Sequence, residues 1–198
     1  LFRGRSTAQG VRSEAGEESA GSTYAGGPEV VSDVEGGGGS VGSAGIGPDG
    51  EPDWVNPTGQ PPRGCDPYGC GHFGAPRIRG GTIGVHQGVD YRATPGQNVR
   101  APAGGRILRT VDAFYPNPPH MSGVVLETPS GYRVKILYVE PDRSLVGAVV
   151  GPGRTIGTAQ DLTVRYPPIP GRGAMTNHVH IEIRSPRGEL LNPGVLIP

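Results

Sequence analysis

From Asn98 onward the apolar residues arrive only in short bursts, each bounded by Gly, Pro, Asn or Asp or lying close to one. The bursts are Val99–Pro102, Arg106–Val111, Gly123–Glu127, Tyr132–Tyr138, Ala148–Val150 and His178–Arg184. A surface helix must carry its apolar stripe through several turns, and no stripe at helical spacing lasts three turns in this chain. Apart from the weak first burst, these segments have the length and β-branched content of strands. Thr128-Pro-Ser-Gly131 lies between two of them. It supplies hairpin turn chemistry, because glycine accepts a positive φ that a bulkier side chain resists. Prolines 167, 168 and 170 disfavour a helix just before the last burst. The body is therefore expected to be all-β, and no repeat of solenoid or propeller length interrupts it.

The chain has 198 residues, with 36 glycines and 22 prolines. That length suits one domain with a tail better than two full domains. In residues 1–60 glycine sits beside Ser, Ala and Glu without apolar periodicity, as in Gly36-Gly37-Gly38-Gly39-Ser40, which reads as linker. In residues 61–198 glycine and proline punctuate Val, Ile and Leu runs and read as turns. Charge divides at the same boundary. The first 60 residues hold 3 Arg against 9 Asp and Glu, and the remainder holds 15 basic against 9 acidic residues. An acidic tail can lie against a basic body or a neighbour's, and Tyr24, Val30, Val31, Val34 and Trp54 are candidate anchors for adding it to a sheet edge. Self-assembly through residues 1–60 is thus one expectation, and an unstructured linker is the plainer one. The basic residues form no arginine-rich run with interleaved aromatics, so no nucleic-acid site is expected. No apolar run approaches a membrane span, so no membrane insertion is expected either.

In a strand alternate side chains share a face, so His178 and His180 project together while Val179 and Ile181 face a core. About ninety residues earlier, His86-Gln-Gly-Val-Asp90 offers another imidazole and a carboxylate that a strand-to-loop bend can bring to the same cavity. Two imidazoles and a carboxylate suit zinc and leave a coordination position open. Satisfied strand histidines without metal are the alternative. The same holds for Asp90 as a turn carboxylate, and for His72 and His120 as exposed loop histidines. Cys65-Asp-Pro-Tyr-Gly-Cys70 places the two cysteines across a Pro/Gly turn, close enough for a small disulfide loop, with a free pair as the alternative. A disulfide implies an oxidising compartment, so a secreted, processed product is expected.

His86-Gln-Gly-Val-Asp-Tyr91, the run from Pro95 to Ile107, Val134-Lys-Ile-Leu-Tyr-Val-Glu-Pro141, Ile156-Gly-Thr158 and Asn177-His-Val-His-Ile-Glu-Ile183 occur in that order. With them the body, over about residues 64–197, resembles the lysostaphin-type zinc endopeptidases of peptidase family M23. It resembles most their secreted chemotaxin branch, which Cys65-Asp-Pro-Tyr-Gly-Cys-Gly-His-Phe-Gly-Ala-Pro-Arg77 also echoes. The resemblance implies a small antiparallel barrel or sandwich of the duplicated hybrid motif kind. It implies zinc on His86, Asp90 and His180, and a Cys65–Cys70 disulfide. In the peptidases the position of His178 acts beside the metal, and a second histidine two positions after a tyrosine stabilises developing charge. Here Glu140, following Tyr138, replaces that histidine. An ionised carboxylate repels an oxyanion, so the expected function is extracellular binding, signalling or assembly, filaments included, without turnover. Its partner is then a protein receptor or another extracellular molecule. The alternative is an active metalloendopeptidase on Gly-rich peptides or peptidoglycan cross-bridges, with Glu140 as general base.

Overall fold

The computed structural model describes residues 50–79, 82–114 and 118–198. Tyr24, Val30, Val31 and Val34 lie outside the described residues. The strands in chain order are β1 Cys65–Asp66, β2 Gly69–Cys70, β3 Pro76–Arg79, β4 Thr82–Val85, β5 Val89–Arg92, β6 Asn98–Arg100 and β7 Gly105–Ala113. They continue with β8 Met121–Glu127, β9 Arg133–Leu137, β10 Val139–Pro141, β11 Val149–Val150, β12 Thr155–Ala159, β13 His178–Arg184 and β14 Leu190–Leu191. The one α-helix among the described residues is the single turn Pro193–Leu196, and no helix there is long and apolar enough to cross a membrane. The all-β expectation holds.

Every strand pair is antiparallel. The main sheet runs β11-β7-β8-β9-β13-β14, with β5 also paired to β13, and a smaller sheet runs β10-β12-β6. The β8–β9 hairpin closes through the Thr128–Gly131 turn, where Gly131 has φ 86° and donates to the Thr128 carbonyl at 2.9 Å. Alternation then sorts the side chains. Val124, Leu126, Val134, Ile136, Val179, Ile181 and Ile183 fill one face of the main sheet and meet Val99, Val139 and Ile156 from the small sheet in one core. Such face-to-face packing of two curled sheets buries the apolar half of each strand and leaves the other half for solvent or a site.

Tyr138 separates β9 from β10 and adopts φ 68°, a conformation that a non-glycine residue takes only when its surroundings enforce it. There the chain leaves the main sheet for the small one. The stretch before β1 works as a strap over sheet edges. Val55 donates to the Pro102 carbonyl at 2.8 Å, Arg100 to Pro57 at 2.9 Å, Arg92 to Pro61 at 3.1 Å and Arg63 to Asp90 at 2.7 Å. It thereby covers the outer edge of β5, which would otherwise offer unpaired backbone groups. Trp54 packs edge-on against Tyr132 of its own domain, ring centres 5.8 Å apart.

Gly88 sits where β5 begins to pair with β13. A Cβ there would fall 2.1 Å from the Ile181 carbonyl oxygen and 2.8 Å from Cε1 of His180. No rotamer relieves a clash with backbone. Gly88→Ala is therefore expected to destabilise the protein by about 3 kcal/mol or more, read from the urea midpoint. A change under about 1 kcal/mol would show that the strands do not approach this closely.

Candidate metal centre

Strand β13 alternates, so His178, His180 and Glu182 share the face opposite the core valine and isoleucines. Its register with β5 sets His180 directly across from Asp90. His86 stands in the short segment between β4 and β5. Its backbone donates to the Ala75 carbonyl and accepts from Gly74, both at 2.8 Å. The three side chains are buried and converge. His86 Nε2 is 2.9 Å from His180 Nδ1 and 3.2 Å from Asp90 Oδ1, and His180 Nδ1 is 2.9 Å from the same Oδ1.

That triangle fits a tetrahedral ion. With metal–ligand bonds of about 2.0–2.1 Å, neighbouring ligand atoms are separated by about 3.3 Å. The donor chemistry fits as well. His86 Nδ1 lies 2.9 Å from the His72 carbonyl, which can only accept, so Nδ1 carries the ring proton and the Nε2 lone pair is turned toward His180 and Asp90. Lone pairs held about 3 Å apart repel unless a cation or a shared proton lies between them. His86, Asp90 and His180 thus form a candidate metal-binding group.

Asp90 has a second support. Its Oδ2 accepts from Arg63 Nε at 3.2 Å and lies 3.1 Å from Arg63 Nη2, which leaves Oδ1 to the histidines. Arg63 is 4% exposed and also pairs with Asp66 on the disulfide hairpin. Asp66 accepts in turn from the backbone of Tyr68 and of Thr176, each at 2.9 Å. Cys65 and Cys70 are joined by a disulfide, so Asp66, Arg63 and Asp90 connect a covalently closed loop to the carboxylate of the candidate metal-binding group. Burial alone would raise the Asp90 pKa. In the metal-free protein, where a proton can be shared among these groups, interaction with His180 and His86 outweighs burial and holds it far below the usual carboxylate range.

His178 does not join the triangle. Its Nδ1 donates to the Thr176 carbonyl at 2.7 Å and its Nε2 faces Asp90 Oδ2 at 3.5 Å, with the Tyr138 ring edge-on at 5.2 Å. Burial depresses its pKa to about 4, so the ring is neutral at pH 7. These groups line a cleft of about 670 Å³ to which Tyr68, Phe114, Tyr138 and Tyr166 contribute rings and Arg77 a charge.

The structure brings His86, Asp90, His178 and His180 together and leaves Glu140 out. Glu140 is exposed on β10, accepts from Gln160 Nε2 at 3.3 Å and does not line the cleft. His120 pairs with Asp112 at 3.1 Å away from the centre, and His72 contributes only its carbonyl. Sequence reasoning missed Arg63, Arg77 and Glu182. Glu182 was within reach, since it lies two residues beyond His180 on the same strand face.

In metal-free protein these groups make stability depend on pH. His178 titrates near 4 when folded against an ordinary 6.5, so the unfolded chain takes the proton first and stability declines as pH falls through that window. Glu182 is pushed up by burial but pulled down more by His180 and Lys135, to about 2 from an ordinary 4.5. Its contribution is present above about 4.5 and is lost as pH falls toward 2. Asp90 behaves likewise. His180 runs the other way. Burial lowers its pKa, but Asp90 and Glu182 raise it more, so its share is complete below 6.5 and lost as pH rises through the folded value. Three depressed groups outweigh one raised group. The chelator-treated protein should have a lower urea midpoint at pH 3 than at pH 7, by on the order of 2 kcal/mol per depressed group. Equal midpoints would contradict the arrangement.

Residues 84–193 match the model of peptidase family M23. No curated protein sequence matches the chain. Among solved structures it is similar to the catalytic domain of the antimicrobial peptidase lysostaphin from Staphylococcus simulans, at 21% identity over 64% of this chain and 87% of that one, with a TM-score of 0.45. A zinc-containing peptidase from Vibrio cholerae matches at 19% identity over 73% of this chain and 41% of that one, TM-score 0.46. The SpoIIQ–SpoIIIAH pore-forming complex matches at 20% identity over 62% and 70%, TM-score 0.42. The chain spans about half, 47%, of the lysostaphin chain in its solution structure.

Proposed function

Because the chain belongs to peptidase family M23, we propose that His86, Asp90 and His180 hold a zinc ion and that the protein uses this centre to bind an extracellular partner rather than to turn over substrate. Zinc would supply Lewis acidity, polarising a bound carbonyl and activating water. Everything else must come from the chain. His178 presents a neutral Nε2 in the cleft, Arg77 lends positive charge, and the rings of Tyr68, Phe114, Tyr138 and Tyr166 offer apolar contact for a peptide segment.

One observation carries the non-catalytic reading: the residue standing in for the family's second histidine is Glu140, and its exposed carboxylate lies outside the cleft. Losing one donor to a developing oxyanion typically costs about a hundredfold or more in rate. The likeness of Cys65–Arg77 and His178–Glu182 to leukocyte cell-derived chemotaxin 2 supports a secreted signalling or assembly protein, and the Cys65–Cys70 disulfide suits that compartment. Assembly through the Gly-rich segment before the domain belongs to the same proposal.

The zinc-loaded protein is expected to hold one zinc per chain and to leave pentaglycine and peptidoglycan fragments uncut. The competing reading, a working metalloendopeptidase, draws on the place of His178 beside Asp90. Multiple-turnover cleavage that His178→Ala abolishes would establish it and sink the binding-only reading.

A further inference from the structure

We propose that Glu182 is a positioning residue for the metal centre: clamped by Lys135, it keeps the His180 proton on Nε2 and thereby aims the Nδ1 lone pair at the ion. The inference rests on the zinc reading above. It concerns a residue two positions beyond the ligand, brought onto the same face by strand alternation.

The geometry uses both carboxylate oxygens. Oε1 lies 3.2 Å from His180 Nε2, and Oε2 accepts from Lys135 Nζ at 2.7 Å. Lys135 is the register partner of Glu182 on β9, so the clamp spans two adjacent strands. Held at both ends, the carboxylate cannot rotate away from the imidazole. An ionised carboxylate only accepts, so the hydrogen on Nε2 belongs to His180, and Nδ1 is left bare toward Asp90 Oδ1 and His86 Nε2.

The two ligand histidines thus present opposite nitrogens. His86 offers Nε2 because the His72 carbonyl takes its Nδ1 proton, and His180 offers Nδ1 because Glu182 takes its Nε2 proton. The supports differ in kind. A backbone carbonyl is fixed by the fold, whereas Glu182 is a side chain whose position depends on Lys135. An acceptor behind a ligand histidine typically contributes about ten- to a hundredfold to metal affinity.

The test is zinc affinity by competition with a chromophoric chelator, together with the exchangeable ring N–H signal of His180 in histidine-labelled protein. Glu182→Ala is expected to weaken zinc binding about ten- to a hundredfold and to lose the His180 N–H signal to solvent exchange. Glu182→Gln, whose carbonyl still accepts, should recover most of the affinity and the signal. Lys135→Met leaves the carboxylate present but unclamped and should weaken binding about threefold. It keeps the question decidable if Glu182→Ala does not fold. Zinc affinity within twofold of the parent in Glu182→Ala, or in Lys135→Met where that variant decides, overturns the inference, as does an equally protected N–H signal. A parent protein that binds no zinc instead sinks the zinc reading itself, so the two failures are distinguishable.

Discussion

Replacing His180 with alanine should weaken zinc binding by about a thousandfold or more while leaving the sheet folded. Zinc held by protein ligands is worth about 10–16 kcal/mol, so losing one of three protein ligands removes about 4 kcal/mol, or about a thousandfold in affinity. The fold is expected to survive because β13 keeps Val179, Ile181 and Ile183 in the core on its other face. Asp90 also keeps its Arg63 partner when the imidazole is gone. Zinc in a thousandfold excess over Kd stabilises the parent by about 4 kcal/mol, and the Tm shift that reports it should vanish in the variant. A His180→Ala protein with parental zinc affinity would mean that the ion sits elsewhere.

The largest loss of stability is expected at Arg63. Its guanidinium faces two carboxylates, Asp66 and Asp90, and all three side chains are under a tenth exposed. Arg63→Met keeps much of the apolar stem but removes the cation that Asp66 and Asp90 share, leaving Asp90 only the longer 3.9 Å contact with Arg77. Breaking a buried pair from one side typically costs about 3–5 kcal/mol, and the uncompensated charges dominate that figure. Three checks separate this cause from simple repacking. The destabilisation should shrink when pH falls far enough to protonate the carboxylates. Zinc should restore part of it, because the ion neutralises Asp90. Adding Asp66→Asn should cost less in the Arg63→Met background than in the parent, since the two substitutions share a partner. A loss below about 1 kcal/mol would contradict the bridge.

The sequence made the β-rich body legible because a burst of Val, Ile and Leu between turn residues has few alternatives to a strand, and five of the bursts overlap β7, β8, β9, β11 and β13. Several strands before Asn98 escaped notice. β3, β4 and β5 lie among Gly, Arg and His with little apolar signal; β3 and β4 pair only with each other, and β5 depends on β13 far along the chain. Alternation in His178-Val-His180 correctly put both imidazoles on one face, and one further step of the same rule reaches Glu182. The place of Glu140 comes from the family resemblance, and alternation does not carry on to it. Counting two positions from Tyr138 puts both side chains on one face only if the strand is continuous. The positive φ of Tyr138 breaks it, sending Glu140 outward as its neighbours turn into the small sheet. Arg63 has a local partner in Asp66, but its link to the site runs through Asp90, 27 residues away, which no local pattern signals.

Two of the three candidate ligands, Asp90 and His180, are locked rung against rung in a ladder, and β13 is flanked by β9 on its other side. Separating them means unzipping the middle of the main sheet, the last part of such a protein to breathe. His86 is on the approach to β5, outside that ladder, and is held by two backbone hydrogen bonds and its ring contact with the His72 carbonyl, so of the three it is the ligand that can move without unzipping the main sheet. Capture and release of the ion should then follow the opening rate of that one segment, making the centre a slow exchanger whose doorway is His86 and whose rivet is the strand pair behind it.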